Sequence, residues 1–250
     1  MSLDLRLSYF MPVYNEGENI AGLLEEALAV LPSLAREFEI IAVDDGSRDR
    51  TAAIIDAAER RHPGVVRVVR HPRNLGYGAA LRSGFSAARY EVIAYTDSDG
   101  QFKVKDLEPL LVRLAGKDAP DAVAAYRATR ADPPLRSLFA SLYRLALRLC
   151  FGLRFRDVDC GSKVFRRSAL RELRVESSGA FFSAELFIKL AAARIIEMPV
   201  PHYRRRGGRA TGLSPLVVFG AVRDFWSLRL RLWVLRRAAM SRGATLIGES

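Results

Sequence analysis

The sequence predicts an α/β fold in which a mostly parallel sheet is flanked by helices. Short apolar runs alternate with amphipathic helical segments over residues 5–126. Several of the runs end in polar turn sequences, as strands of such a sheet do. Alternation of this kind is typical of a sheet covered on both faces. The chain has 250 residues, of which 50% are hydrophobic, so it can bury one sizeable core.

The predicted elements follow one another in order along the chain. Strands are expected at residues 5–10, 38–43, 65–69, 90–96, 121–126 and 195–200. Helices are expected at residues 16–30, 51–61, 78–89, 135–151, 181–193 and 215–237. Asn15 is the predicted N-cap of the first helix, and Pro215 suits the first position of the last one.

The chain is strongly basic, with a formal net charge of +11. This charge indicates an anionic partner, which could be nucleic acid, anionic lipid or a phosphorylated substrate. The basic residues alternate with apolar ones, and we recognise no nucleic-acid-binding module. We therefore expect no nucleic-acid partner and keep a basic nucleic-acid-binding protein only as the alternative from another functional class.

Two cysteines, Cys150 and Cys160, do not make a disulfide framework, so both thiols are expected to be free in a reducing compartment. We find no signal peptide, and no apolar stretch reaches the length of about 18 residues that a spanning helix needs. The expected location is the cytoplasm, with the protein either soluble or peripheral on the cytoplasmic face of the membrane.

Polar clusters follow three of the predicted strands. They are residues 14–16, residues 44–47 and residues 97–101. Ligands of open α/β sheets bind beyond the carboxyl ends of the strands, so these clusters are expected to form one site. Neither a glycine fingerprint of the Rossmann type nor a P-loop is present, which argues against NAD enzymes and NTPases.

Asp97 and Asp99 are two carboxylates around one small residue, a pattern suited to Mg²⁺ or Mn²⁺ together with substrate phosphates. An ordinary polar turn has the same composition, and only the neighbouring clusters favour the metal. Asp44 and Asp45 are either turn residues or acceptors for a nucleoside at the end of the second strand. Residues 76–78 either simply open a helix or bring the backbone close to a bound donor.

Together the clusters resemble family 2 glycosyltransferases, in particular the branch that makes polyprenyl-phosphate sugars and is typified by dolichol-phosphate mannosyltransferase. The resemblance spans residues 5–212. The segments that carry it are 11–16, 43–51, 74–78, 97–101, 157–163 and 205–211. It implies a GT-A type fold and an inverting enzyme that moves a hexose from a nucleotide-sugar, of the GDP-mannose or UDP-glucose type, to a polyprenyl phosphate. A glycan hydroxyl is the alternative acceptor.

The resemblance also implies roles for individual residues. The nucleotide-sugar would contact Pro12, Tyr14, Glu16, Val43, Asp44, Asp97, Ser98, Arg127 and Arg205. The metal ion, Mg²⁺ or Mn²⁺, would be held by Asp99, Gln101 and Asp97. The catalytic set would be Asp157, Asp159, Arg127 and Arg205, with the choice between the two aspartates open. Glu185 falls on an acidic position of the family. Ser162 and Ala210 depart from the family pattern.

The second half of the chain adds arginines to apolar helices. Arg144, Arg148, Arg223 and Arg231 lie on two predicted helices with broad apolar sides, a pattern typical of helices in a membrane interface. Core packing or a homodimer contact could use the same surfaces. We therefore expect a transferase domain over residues 1–212, with its acceptor half from about residue 130, and an amphipathic helix and tail over residues 213–250.

Overall fold

The computed structural model of the chain describes residues 3–128, 134–171, 173–205, 207 and 215–247, with side chains described except at 134–138 and 235–247. Its strands are β1 (Leu3–Val13), β2 (Ala35–Asp44), β3 (Val66–Arg70), β4 (Val92–Thr96), β5 (Ala122–Arg127), β6 (Ser162–Arg166) and β7 (Ile195–Val200). Its α-helices are α1 (Ile20–Leu34), α2 (Thr51–Arg61), α3 (Tyr77–Ala87), α4 (Glu108–Ala115), α5 (Pro134–Phe151), α6 (Arg167–Leu170), α7 (Phe182–Lys189) and α8 (Pro215–Ile247).

The seven strands form a single sheet in the order β3-β2-β1-β4-β6-β5-β7. All neighbouring strands are parallel except β6, which is antiparallel to both β4 and β5. β6 is not among the predicted strands. Its first two residues belong to the motif at residues 157–163, for which no strand is predicted. The 3₁₀ turn Val104–Leu107 and helix α4 are likewise additions to the predicted set.

The core lies in two layers, one on each face of the sheet. β1 contributes to both, because successive side chains of a strand point to opposite faces. Leu7, Tyr9 and Met11 pack with α1, α2 and α4. Phe10 packs on the other face with α3, α7 and buried residues of α5 and α8, such as Leu147 and Phe225. The two faces of the sheet are thus covered, and the carboxyl ends of β1, β2 and β4 form a polar edge.

The first helix begins later than predicted. Asn15 does not cap it. Its φ angle of 53° is left-handed, which asparagine tolerates better than most residues, and its Oδ1 accepts a bond from the Arg48 amide. The chain then turns, with the Glu16 carbonyl accepting from Asn19 and Ile20, before α1 begins at Ile20. This turn moves Glu16 from a helix surface into the edge of the sheet.

Both cysteines are free thiols, with Cys160 buried. Burial raises the pKa of Cys160 to about 12. Within the described part of the chain, we find no helix with the length and apolar character needed to cross a membrane. Residues 206 and 208–214, which include most of the predicted acceptor loop and the predicted domain boundary, lie outside the described residues.

Candidate active site

Side chains from β1, β2 and β4 meet at one edge of the sheet. The strands are in parallel register, with Val13 beside Asp44 and Phe10 beside Tyr95. The Ser98 hydroxyl donates to the Pro12 carbonyl at 2.7 Å, and the Asn15 amide donates to the Ser47 hydroxyl at 3.0 Å. The clusters at residues 14–16 and 44–47 are therefore in direct contact, and the cluster at residues 97–101 is bonded to the end of β1 beside them.

The predicted nucleoside residues line this edge to different extents. Pro12 and Val43 are buried, and Tyr14 is exposed. Asp44 is buried, with one oxygen accepting from the Ser47 amide at 2.9 Å and the other from Arg70 at 3.2 Å. Its carboxylate is thus already engaged by the protein itself.

Glu16, Arg205 and Asp99 form a charged group that joins the first strand end to the segment after β7. Arg205 donates to Glu16 Oε1 at 2.5 Å, and its other terminal nitrogen lies 3.6 Å from Asp99 Oδ2. Burial is the main cause that raises the pKa of Glu16, against bonds from Asn19 and Arg205 that lower it. The arginine therefore occupies the space between two acidic side chains.

Asp97 is bonded at one carboxylate oxygen and closely packed at the other. The Tyr77 hydroxyl donates to Oδ1 at 2.8 Å, and a Cβ at Gly161 would collide with Oδ2. Burial of the carboxylate, followed by the neighbouring charge of Asp99, raises the pKa of Asp97 to about 6. Burial of the phenol raises the pKa of Tyr77 well above 10, so its hydroxyl remains the donor.

The donor set fits a hard divalent cation. Asp97 and Asp99 supply carboxylates, and Gln101 donates from Nε2 to the Tyr203 carbonyl at 3.3 Å, which leaves its Oε1 as an oxygen ligand. In the described ranges, no cluster of three or more His, Cys, Asp or Glu residues could hold a metal alone. One or two carboxylates completed by substrate phosphates is the usual arrangement for Mg²⁺.

Arg127 and Asp157 form a buried, bidentate ion pair. The two bonds measure 2.6 and 2.7 Å, and the Arg127 amide adds a third at 3.3 Å. Burial alone would lower the pKa of Arg127, but the bonds to Asp157 raise it above its ordinary value. Asp159 lies two residues further on and is exposed. The two predicted acids therefore differ, because Asp157 is buried and bonded to an arginine, whereas Asp159 is exposed to solvent.

The glycines at 76 and 78 approach the chain's own backbone. The Gly78 amide donates to the Ser178 carbonyl at 2.8 Å, and a Cβ at Gly76 would collide with that same oxygen. The structure therefore supports the interpretation that residues 76–78 open a helix. The close backbone approach at this point is made to the chain's own Ser178 carbonyl. Glu185 holds the facing segment through bonds from the Glu176 and Ser177 amides at 3.0 and 2.8 Å, which is a structural role.

Two residues, Asp45 and Lys163, lie in predicted motifs, but the sequence did not predict the contacts they make. Asp45 accepts from His71 Nδ1 at 2.6 Å and from the Leu75 and Gly76 amides at 2.8 and 2.9 Å, so it fixes the loop before α3. Lys163 is fully buried and donates to the Tyr95 hydroxyl at 3.1 Å and to the Cys160 carbonyl. The paired aspartates at 44 and 45 indicated a polar role for Asp45 but not its partners, and a lysine within a short strand gives no signal for its contacts.

The fold places the chain among GT-A type α/β proteins. Glucosyl-3-phosphoglycerate synthase of Mycobacterium tuberculosis, solved with phosphoglyceric acid, superposes with a TM-score of 0.68 at 20% identity over 89% of this chain and 79% of that one. The same enzyme solved with Mn²⁺, UDP-glucose and phosphoglyceric acid gives a TM-score of 0.66 at 20% identity over 88% and 80%. The predicted fold class is confirmed.

The chain belongs to glycosyl transferase family 2, whose family model matches residues 8–174. An undecaprenyl-phosphate 4-deoxy-4-formamido-L-arabinose transferase of Pseudomonas aeruginosa is 34% identical over 83% of this chain and 60% of its own length. A dolichyl-phosphate beta-glucosyltransferase of Trichomonas vaginalis is 31% identical over 68% and 54%. This chain thus spans a little over half of each of these relatives. The predicted family is confirmed.

Proposed function

We propose that the chain transfers a hexose from a nucleotide-sugar, of the GDP-mannose or UDP-glucose type, to a polyprenyl phosphate at a membrane surface. The observation that carries this proposal is the pair Asp97 and Asp99, which lies where three strand ends meet and beside the Glu16–Arg205 ion pair. The names of the relatives, which describe transfer to undecaprenyl and dolichyl phosphates, support the acceptor.

On the donor side, the nucleoside lies along Pro12, Tyr14, Val43 and Asp44, and the diphosphate reaches the two aspartates. Asp99, Gln101 and Asp97 would hold Mg²⁺ or Mn²⁺, which when bound would neutralise the charge that develops on the departing diphosphate. Ser98 keeps the acidic turn in place through its bond to the Pro12 carbonyl. Arg205, which contacts Glu16 and Asp99, is near enough to the two aspartates to exchange these contacts for a donor phosphate.

On the acceptor side, a phosphate oxygen attacks the anomeric carbon in line with the departing nucleoside diphosphate, so the anomeric configuration inverts. A phosphate monoester has a second pKa near 6, so little deprotonation is needed at neutral pH. Asp157 is therefore assigned a positioning role, because its carboxylate already holds Arg127 at 2.6 Å. Arg127 then binds phosphate, and the exposed Asp159 is the acid that faces the acceptor.

The acceptor reaches the site from the membrane, which contacts an apolar protein surface formed by α5 and α8. Phe225 and Leu228 of α8 are buried, whereas other large apolar residues of the two helices are exposed. The exposed set is Phe139, Leu142, Leu145, Leu149, Leu216, Val218, Phe219, Val222, Trp226, Leu230, Trp233 and Val234. Basic side chains next to this apolar face favour an anionic membrane, with the protein peripheral on its cytoplasmic side. Arg144 and Arg148 supply charge there, whereas Arg223 and Arg231 pair with Asp224 and Glu176.

The activity is tested with labelled UDP-glucose and GDP-mannose, vesicles that contain undecaprenyl or dolichyl phosphate, and Mn²⁺. We expect label to enter the organic phase with at least one donor. Asp99→Asn should lower the rate at least about 100-fold, because it removes a carboxylate that would hold the cation that neutralises the departing diphosphate. Asp4→Asn is the matched control, since Asp4 lies in an exposed pair with Arg36 at 2.9 Å, outside the site. No product with any donor, or an unimpaired Asp99→Asn enzyme, contradicts the proposal. A labelled product that differs from the donor and stays in the aqueous phase would indicate a water-soluble acceptor.

The membrane surface has a separate test by vesicle flotation. We expect the wild-type protein to float with phosphatidylglycerol vesicles, and the Leu149→Ser/Trp226→Ser double variant to float less. Val112→Ser is the control, because Val112 is half exposed on α4 and lies outside the α5–α8 surface. Concentration-dependent dimerisation of the wild type that this double variant abolishes, with flotation unchanged, would assign the surface to a second copy of the chain.

A further inference from the structure

The Asp97 carboxylate is clamped between two parts of the chain. On one side the Tyr77 hydroxyl donates to Oδ1 at 2.8 Å. On the other side Gly161 lies so close that any Cβ there would collide with Oδ2, and the Asp97 amide donates to the Gly161 carbonyl at 2.8 Å. The carboxylate therefore cannot rotate freely about its own axis, and the direction of its lone pairs is set by its neighbours.

Tyr77 is itself held rigidly. It is the first residue of α3, and the residue before it is Gly76, whose φ angle of 99° is strained for any side chain. The Gly76 amide donates to Asp45 at 2.9 Å, and the Gly78 amide donates to Ser178 at 2.8 Å. The phenol ring packs against the buried cluster that includes Phe182. Backbone bonds on both sides of Tyr77 thus fix the place from which its hydroxyl reaches Asp97.

Asp99 offers a contrast within the same motif. Its Oδ1 accepts from the Gln101 amide at 3.0 Å, and its Oδ2 faces Arg205 at 3.6 Å, on a segment that enters from the far side of the site. Asp99 can therefore reorient when Arg205 moves. Asp97 cannot, because its partners belong to α3 and to the residue that precedes β6. The side chain of Asp99 can thus change its orientation, whereas that of Asp97 is fixed before a ligand binds.

We infer that Tyr77 is a positioning residue that sets which oxygen of Asp97 faces the complex of nucleoside diphosphate and divalent cation. The inference rests on the proposed function, because it presumes that Asp97 contacts this complex. Outer-shell donors to metal-site carboxylates typically change metal affinity by 10–100-fold when removed. Loss of the Tyr77 hydroxyl is expected to weaken cation-dependent nucleotide binding by about that factor, while the fold stays intact.

The test is Tyr77→Phe in the full chain, with Mn²⁺ alone and Mn²⁺ with UDP or GDP as probes. Binding of Mn²⁺ is followed by electron paramagnetic resonance, and binding of the nucleotide by calorimetry. Tyr90→Phe is the matched control, since it removes a tyrosine–carboxylate bond of the same 2.8 Å length, to Glu37, outside the site. We expect about 10–100-fold weaker Mn²⁺–nucleotide binding in Tyr77→Phe, no change in Tyr90→Phe, and a thermal unfolding midpoint of Tyr77→Phe close to that of Tyr90→Phe.

Gly161→Ala provides a second variant, because its new methyl group presses on the other oxygen of the same carboxylate. It should weaken Mn²⁺–nucleotide binding in the same direction, and it replaces Tyr77→Phe in the comparison if that variant fails to fold. Wild-type-like binding by a folded Tyr77→Phe, or by Gly161→Ala when Tyr77→Phe does not fold, overturns the inference and leaves the proposed function standing. Absence of Mn²⁺-dependent UDP or GDP binding by the wild type overturns both.

Discussion

Two carboxylate–arginine pairs border the site, and they are built differently. Arg127 and Asp157 join the end of β5 to the segment before β6 through two bonds of 2.6 and 2.7 Å, with side chains about one-tenth exposed. Arg205 and Glu16 are joined by one bond of 2.5 Å, and the arginine, on the segment after β7, is twice as exposed as Arg127. The first pair is therefore suited to hold its geometry, and the second to open when a phosphate arrives.

The largest expected effect is on the first pair. Asp157→Asn leaves Arg127 buried without its bidentate counter-charge, and breaking a buried pair in this way typically costs about 3–5 kcal/mol. We expect the free energy of unfolding in urea to fall by about that amount. Glu16→Gln is the comparison, with an expected loss of less than about 1 kcal/mol, since Arg205 can turn toward water. Equal losses would mean that the two pairs do not differ.

The second effect concerns nucleotide binding by the second pair. Arg205→Ala should weaken binding of UDP or GDP by about 10–100-fold, because a hydrogen bond to a charged group contributes about 1.5–3 kcal/mol. Its effect on unfolding should stay below about 1 kcal/mol. Calorimetric titration measures the binding, and Arg204→Ala, which changes the exposed neighbour, is the control. If both variants bind nucleotide like the wild type, Arg205 does not exchange Glu16 for a phosphate.

A smaller effect is expected at the base of the segment that carries Arg205. The Tyr203 amide donates to the Gln101 carbonyl at 3.0 Å, its ring lies under Lys103 at 4.4 Å, and its hydroxyl bonds Asp106. Tyr203→Phe should cost about 1 kcal/mol and speed tryptic cleavage after Arg204 and Arg205. Tyr90→Phe controls for the loss of a hydroxyl. Unchanged cleavage would show that Tyr203 does not restrain this segment.

The smallest expected effect is a change in pH dependence. Burial raises the pKa of Glu16 above 4.5, so the folded protein binds more protons than the unfolded chain just above that pH. Stability should therefore fall as the pH rises through this window, and remain lower above it. Glu16→Gln should reduce this fall in a chelator-treated sample, as measured by urea unfolding from pH 4 to 7. A profile identical to that of the wild type would exclude a contribution from Glu16.

Most of the sheet could be predicted from the sequence, because runs such as residues 38–43 are apolar throughout and end in polar turns. The strand at 195–200 and the helix at 51–61 have the predicted bounds. The start of α1 could not be predicted, since Asn15 suits both a helix cap and a left-handed turn. β6 was missed because its buried lysine, Lys163, is paired only through long-range contacts with Tyr95 and the Cys160 carbonyl.

Prediction of the site also depended on the difference between local sequence patterns and long-range contacts. The acids that follow strands were found because strand order places them together. The contacts of Tyr77 and Asp45 were not predicted, since they join residues 20 and 26 to 31 positions apart in the sequence. The pairing of Arg127 with Asp157 spans 30 residues, and no local pattern indicates it. The positions of the acidic residues can therefore be predicted from the ends of the strands. The residues that bond to them can be identified only from the folded structure.

The contact between α3 and the Ser178 carbonyl has an electrostatic consequence. The amides at the start of a helix are a ready-made anion site, and many phosphate-binding proteins use them. Here the Gly78 and Ala79 amides are already satisfied by Ser178, at 2.8 and 3.3 Å. The positive end of this helix is thus taken by the chain itself. In the proposed reaction, the negative charge of the diphosphate would therefore be balanced by arginine side chains and a dissociable cation. Such counter-charges could be withdrawn after each proposed turnover, whereas a helix terminus could not, and this would favour product release.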